Sequence, residues 1–123
     1  MDTPGPRVAI VDDDDVVRRA LRRMIASLAY SPVEFGSGEA FLAELSNTKF
    51  ACALIDMHMP GLNGLDVVGK MRDEGRNVPS IIITGGDEPK LRERCLNAGA
   101  AAYMVKPIER DAVGQTIQLL ISW

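Results

Sequence analysis

No stretch of the chain stays apolar for the roughly 20 residues that a membrane-crossing helix requires. Basic residues are not in excess either: 14 Lys and Arg stand against 17 Asp and Glu, for a net charge of −3. That balance gives no footprint for nucleic acid, whose binding rests on clustered Lys and Arg against phosphates. Cysteine occurs only at Cys52 and Cys95, in apolar or helical surroundings and not as a C-x-x-C pair. The expectation is two free thiols in a reduced, cytoplasmic setting. The first six residues lack the charged-then-apolar pattern of a signal peptide. Internal repeats, low-complexity tracts and linkers are missing too. What is present is ordinary: 123 residues, 46% hydrophobic and 25% charged. That is one globular domain with enough chain for a proper core.

The apolar residues come in short runs. Arg7-Val8-Ala9-Ile10-Val11, 51–55 and Ser80-Ile81-Ile82-Ile83-Thr84 read as buried strands. Val33-Glu34-Phe35 reads as a short strand near an edge, and 101–105 as a fifth strand. Between them the spacing turns helical. Val17, Ala20, Leu21, Met24, Ile25 and Leu28 make one face of a first helix, with Arg18, Arg19, Arg22 and Arg23 on a solvated outer face. Ser37 caps a helix over 38–45 that buries Phe41, Leu42 and Leu45. A third helix over 64–73 turns Leu65, Val68 and Met71 inward, and a fourth over 88–97 is closed by Gly99. The last, over 108–120, carries Ala112, Val113, Thr116, Ile117 and Leu120 on one side and has no favoured capping residue. Residues 1–6 form a loose end, leaving 7–123 as the domain. Five apolar strands alternating with five helices predict a flavodoxin-like, doubly wound parallel sheet in the order 2-1-3-4-5.

That order gives the strand ends their meaning. Strands 1, 3, 4 and 5 become neighbours, and their carboxyl ends carry Asp12 and Asp13, then Asp56, then Thr84, then Lys106. Ligands in open α/β sheets bind at such ends. A carboxylate there is costly to bury unless paired or bound to a metal. Three clustered carboxylates repel and raise a pKa unless a cation neutralises them. Mg²⁺ suits the set, because it takes oxygen ligands and shares its sphere with phosphate. A carboxylate can attack a phosphoryl group to form an aspartyl phosphate, and such transfer needs charge neutralisation around the phosphoryl oxygens. Lys106 and the Thr84 hydroxyl can supply part of that.

The residues Val11-Asp12-Asp13-Asp14, Asp56-Met57-His58-Met59-Pro60-Gly61 with Gly64, Thr84-Gly85-Gly86 and Lys106-Pro107 span the chain in order. As a set they resemble the receiver domain of a two-component response regulator. The resemblance implies that Asp56 accepts a phosphoryl group from a sensor histidine kinase. It implies Mg²⁺ (or Mn²⁺) held by Asp13, Asp56 and the His58 backbone carbonyl, with Asp12 acting through water. Lys106 would pair with the phosphoryl group, and its bond to Pro107 would be cis. Thr84 and Tyr103 would form a switch pair, Tyr103 turning inward on phosphorylation. The readout would be the face over 88–121, toward an output domain, a downstream protein or a second copy. The domain would be no enzyme beyond its own phosphorylation and dephosphorylation. The side chain of His58, the only histidine, would face solvent at the rim and tune dephosphorylation through water access. Gly85, where the family often has alanine, and Ile108, where an aromatic is common, depart from the pattern without removing a chemical group.

Three other readings compete. Asp12-x-Asp14-x-Val16 after an apolar strand formally matches the nucleophile motif of haloacid-dehalogenase-like phosphatases, but the later acidic motif is absent and Asp56 would have no task. A receiver-like scaffold that works without phosphorylation would need none of the full acidic, hydroxyl and lysine set. A flavodoxin-type electron carrier would need a phosphate-cradling loop where Asp12 to Asp15 instead repel phosphate. Whether the domain stands alone or belongs to a longer regulator is left open by these residues.

Overall fold

Strands and helices alternate strictly along the computed structural model, which describes residues 5–121. The order is β1 (Arg7–Val11), α1 (Asp15–Ser27), β2 (Ser31–Phe35), α2 (Gly38–Glu44), β3 (Cys52–Asp56), α3 (Gly64–Asp73), β4 (Ser80–Thr84), α4 (Pro89–Ala98), β5 (Ala102–Val105) and α5 (Arg110–Ile121). All strand pairs are parallel and the sheet runs β2-β1-β3-β4-β5. Of the expected loose end 1–6, residues 1–4 lie outside the described residues, as do 122 and 123 of the expected domain span 7–123.

The sheet is covered on both faces, which is why β3 and β4 are buried at every residue. Alternation along the strands divides the core. Val8, Ile10, Cys52, Leu54, Ile81 and Ile83 face the side covered by α1 and α5, where Leu21, Ile25, Val113 and Ile117 meet them. Ala9, Val11, Ala53, Ile55, Ile82 and Tyr103 face α2, α3 and α4. On that side Phe41, Phe35 and Phe50 pack edge-on or tilted, with ring centroids 5.5–5.8 Å apart.

Several boundaries and faces differ from the sequence reading. The edge strand β2 starts at Ser31, with Pro32 tolerated because an edge strand can spare an N–H. The last helix starts at Arg110, because the chain from Pro107 to Glu109 is spent in the turn after β5; Ile108 instead packs on the α1–α5 side. Ala20 and Ala112 are exposed, so the apolar stripes of α1 and α5 are narrower than predicted. In α3, Val67 is buried along with Val68 and Met71, while Leu65 is only half-buried. Helix α4 is shifted one residue from the expected 88–97, with Pro89 in its first turn, and closes on Gly99 at φ 117°.

Candidate functional site

The turn after β1 is built by side chains folding back on their own backbone. Asp14 caps α1, its carboxylate accepting from the N–H groups of Val16 and Val17. Asp12 accepts the N–H of Asp14 at 2.9 Å through one carboxylate oxygen. Its other oxygen, Oδ2, is buried and has no hydrogen-bond partner among the described residues. With Asp14 engaged as a cap, the second residue of the dehalogenase-like motif is removed from the site.

Strand β3 delivers Asp56, which is 8% exposed. Its register is fixed from both sides: Asp56 lies opposite Ile83 on β4, and the N–H of Met57 donates to the Ile83 carbonyl at 2.8 Å. The loop beyond is held close. Gly64 packs so tightly that a Cβ would stand 3.0 Å from the Asp56 carbonyl oxygen and 3.1 Å from the Met57 Cα. Asn63 and Asp66 form a reciprocal capping box that starts α3. Glu39 of α2 accepts the N–H of Leu62 at 3.3 Å.

Asp12, Asp13 and Asp56 come together, each offering a carboxylate oxygen within 4.8 Å of the others, so the cluster can hold a metal ion. Lys106 reaches in from the end of β5: its Nζ is 3.5 Å from Asp56 Oδ1 and 3.9 Å from Asp12 Oδ2. Its backbone N–H donates to the Thr84 carbonyl at 2.8 Å, which ties the ends of β4 and β5. The Lys106–Pro107 bond is cis. Burial pushes the Asp56 carboxyl above its ordinary pKa, the Asp12 charge adds to the push, and Lys106 offsets part of it. Asp12 is raised too, chiefly by burial, against the Asp14 hydrogen bond and Lys106. One ammonium therefore does not balance the acidic set. Together with the Asp12 oxygen that accepts no hydrogen bond among the described residues, that is the environment a hard divalent cation fits.

Two predicted residues lie off this cluster. Thr84 is at the end of β4, but its Oγ1 is turned to the backbone of Gly86, donating to its carbonyl at 3.3 Å. Tyr103 pairs in register with Ile82, below the rim. Its ring lies inward, with the residue 7% exposed. Its hydroxyl has no partner among the described residues, and the Arg92 guanidinium lies 5.0 Å from its ring centroid. The His58 side chain is exposed.

Arg18 corrects the sequence reading most sharply. Its side chain is only 18% exposed, not part of a solvated outer face. Its guanidinium donates to the Asp12 backbone carbonyl at 2.7 Å and pairs with Asp15 and Glu34. The signal was an arginine three residues after an aspartate in the first turn of a helix. Asn63 with Asp66 carries the likewise legible spacing of a capping box.

A doubly wound parallel sheet with clustered carboxylates and a lysine at its strand carboxyl ends defines a CheY-like α/β signalling domain. A family model described as the response regulator receiver domain matches residues 8–118. Among similar proteins, the transcriptional regulatory protein FixJ of Bradyrhizobium diazoefficiens is 30% identical over 121 residues, covering 98% of this chain and 58% of FixJ. Response regulator protein TmoT of Ectopseudomonas mendocina is 33% identical over 108 residues, 87% of this chain and 49% of TmoT. The chain thus spans about half the length of these curated relatives. Among solved structures, the crystal structure of FixJ-N superposes with a TM-score of 0.89 at 29% identity, covering 99% of this chain and 96% of that one. The receiver domain of sensor histidine kinase PA1611 from Pseudomonas aeruginosa, with a magnesium ion in its active site cleft, gives 0.87 at 27% identity, covering 97% and 99%. The chain belongs to the response regulator receiver domain family.

Proposed function

We propose that residues 7–123 act as a cytoplasmic phosphoryl-accepting switch with Asp56 as the acceptor. The observation that carries this is the position of Asp56, buried at the end of β3 beside Asp12 and Asp13 and 3.5 Å from Lys106. An Asp56 carboxylate oxygen attacks the phosphorus of a phosphohistidine on a sensor kinase. The new P–O bond forms as the P–N bond breaks, and the electron pair leaves on the imidazole nitrogen, which then takes a proton. Dephosphorylation is attack of water on the same phosphorus, with Asp56 as leaving group. The chain catalyses only these two steps on itself.

Asp13, Asp56 and the backbone carbonyl of His58 would hold Mg²⁺ (or Mn²⁺), with Asp12 acting through a water. The bound ion would supply neutralisation of carboxylate and phosphoryl charge. Lys106 pairs with one phosphoryl oxygen, and its present contact with Asp56 holds it where that oxygen arrives. Thr84 releases the Gly86 carbonyl and donates its hydroxyl to another oxygen. Its movement, with Tyr103 beneath, shifts the chain between two conformations that both exist beforehand. The face over 88–121 carries the result to an output domain, a downstream protein or a second copy. The relatives, about twice as long, have room for such an output domain.

The test is acetyl phosphate or beryllofluoride with Mg²⁺, wild type against Asp56→Asn. A mass gain of one phosphoryl group, or a spectral change, in the wild type alone is the expected result. A response that survives in Asp56→Asn removes Asp56 from its role.

A further inference from the structure

The acidic turn after β1 holds two carboxylates near a third, and one side chain helps to pin its backbone. Arg18 lies one turn into α1. Its Nη1 donates to the Asp12 carbonyl at 2.7 Å, Nη2 pairs with Asp15, and Nε lies 3.4 Å from Glu34 on β2. Glu34 is shared with Arg22 at 3.2 Å. The other side of the turn is held by the Asp12 N–H, which donates to the Phe35 carbonyl at 3.1 Å. One planar guanidinium therefore joins the end of β1, the first turn of α1 and the edge strand β2. A guanidinium suits this because its donors form a rigid fork able to serve several acceptors at once.

We propose that Arg18 is a positioning residue for the cation site: by holding the Asp12 carbonyl it sets the Asp12–Asp13 turn in the geometry that presents both carboxylates toward Asp56. This rests on the reading of Asp12, Asp13 and Asp56 as a cation site. The proposal has a sign that separates it from simple charge effects. Removing a positive charge beside an acidic site should, by Coulomb's law alone, strengthen cation binding. Loss of positioning weakens it, and removing the partners that orient a metal's ligands costs about 10–100-fold in affinity.

The experiment is Mn²⁺ binding followed by electron paramagnetic resonance of the free ion, without phosphodonor, on wild type, Arg18→Gln, Arg18→Lys and Glu34→Gln. Arg18→Gln should bind about tenfold more weakly, and Arg18→Lys should also weaken, since a point charge keeps the charge without the fork. Glu34→Gln removes an ion pair with β2 and leaves the bond to the Asp12 carbonyl, so its affinity should stay near wild type. Unchanged or tighter binding in both Arg18 variants overturns the proposal. A loss in Glu34→Gln equal to that in Arg18→Gln also overturns it, by assigning the effect to the sheet edge. Absence of Mn²⁺ binding by the wild type removes the cation site itself and this role with it. Arg18→Lys, which keeps charge and stem, serves if Arg18→Gln fails to fold.

Discussion

Neutralising Asp12 should make the cation-free protein more stable. Asp12 is 2% exposed, and one of its carboxylate oxygens lies within 4.8 Å of one from Asp56. At an effective dielectric constant of about 20, two such charges repel by about 3.5 kcal/mol. The compensating attraction to Lys106 acts over 3.9 Å. It would be of similar size in the same medium, but the Lys106 side chain is 32% exposed, so solvent screening reduces it to roughly half. The balance, with the burial cost of the carboxylate itself, leaves a net penalty of about 1–2 kcal/mol. In Asp12→Asn the amide oxygen still accepts the Asp14 N–H, so the turn keeps its hydrogen bond. Thermal and urea unfolding in EDTA at neutral pH should show a melting temperature about 4–8 °C above wild type. The pH dependence has a definite sign. Both Asp12 and Asp56 have folded pKa values raised above the ordinary carboxylate value. The folded state therefore binds more protons than the unfolded one between those values. Their contribution is most favourable at acid pH and is lost as pH rises through the raised folded values. The advantage of Asp12→Asn should accordingly vanish toward acid pH. Adding Mg²⁺ at about ten times its dissociation constant should stabilise the wild type by about 1.4 kcal/mol and narrow the gap. An Asp12→Asn protein less stable than wild type in EDTA would refute the reasoning, since Lys106 would then outweigh the repulsion.

Tyr103→Phe should raise stability by about 1 kcal/mol in urea unfolding, because the hydroxyl it removes is buried with no hydrogen bond among the described residues. Gly64→Ala should lose about 1–3 kcal/mol, because its Cβ meets backbone of Asp56 and Met57 that cannot yield. The same variant should incorporate phosphoryl from acetyl phosphate more slowly. Asn63→Ala removes the acceptor of the Asp66 N–H and should lower stability by about 1 kcal/mol by urea unfolding.

The sheet was legible because β3 and β4 are continuous apolar runs, which only burial on both faces explains. Once the strand order followed from the alternation, Asp12, Asp56, Thr84 and Lys106 fell on adjacent strand ends. What stayed illegible depends on atoms rather than positions. Arg18 reads like Arg19, Arg22 and Arg23 in periodicity. The Asp15–Arg18 spacing marks only an ion pair; the carbonyl within reach of the Arg18 Nη1 is set by the backbone of the preceding turn. The Thr84 hydroxyl is equally silent, because a threonine at a strand end is placed by topology while its rotamer is chosen by the Gly86 backbone. The starts of β2 and α5 were missed where proline decides: Pro32 on an edge strand was too weak a stop, and Pro107 delayed the helix more than the apolar spacing indicated.

The same electrostatic penalty that lowers stability makes the site responsive. A ligand can shift a conformational equilibrium only by its differential affinity for the two states. In a site where the carboxylates were already balanced, a cation and a phosphoryl group would add little. Here Asp12 and Asp56 share one lysine, and the Thr84 hydroxyl is bonded to Gly86, not to the acidic cluster. On the proposed reading, each arriving group would relieve an existing imbalance, and phosphoryl oxygens would give Lys106 and Thr84 better acceptors than the contacts they make in the structure. Fold stability is supplied elsewhere, by the two apolar layers and by the Phe35, Phe41 and Phe50 cluster, which leaves the strand ends free to stay strained in charge until they are occupied.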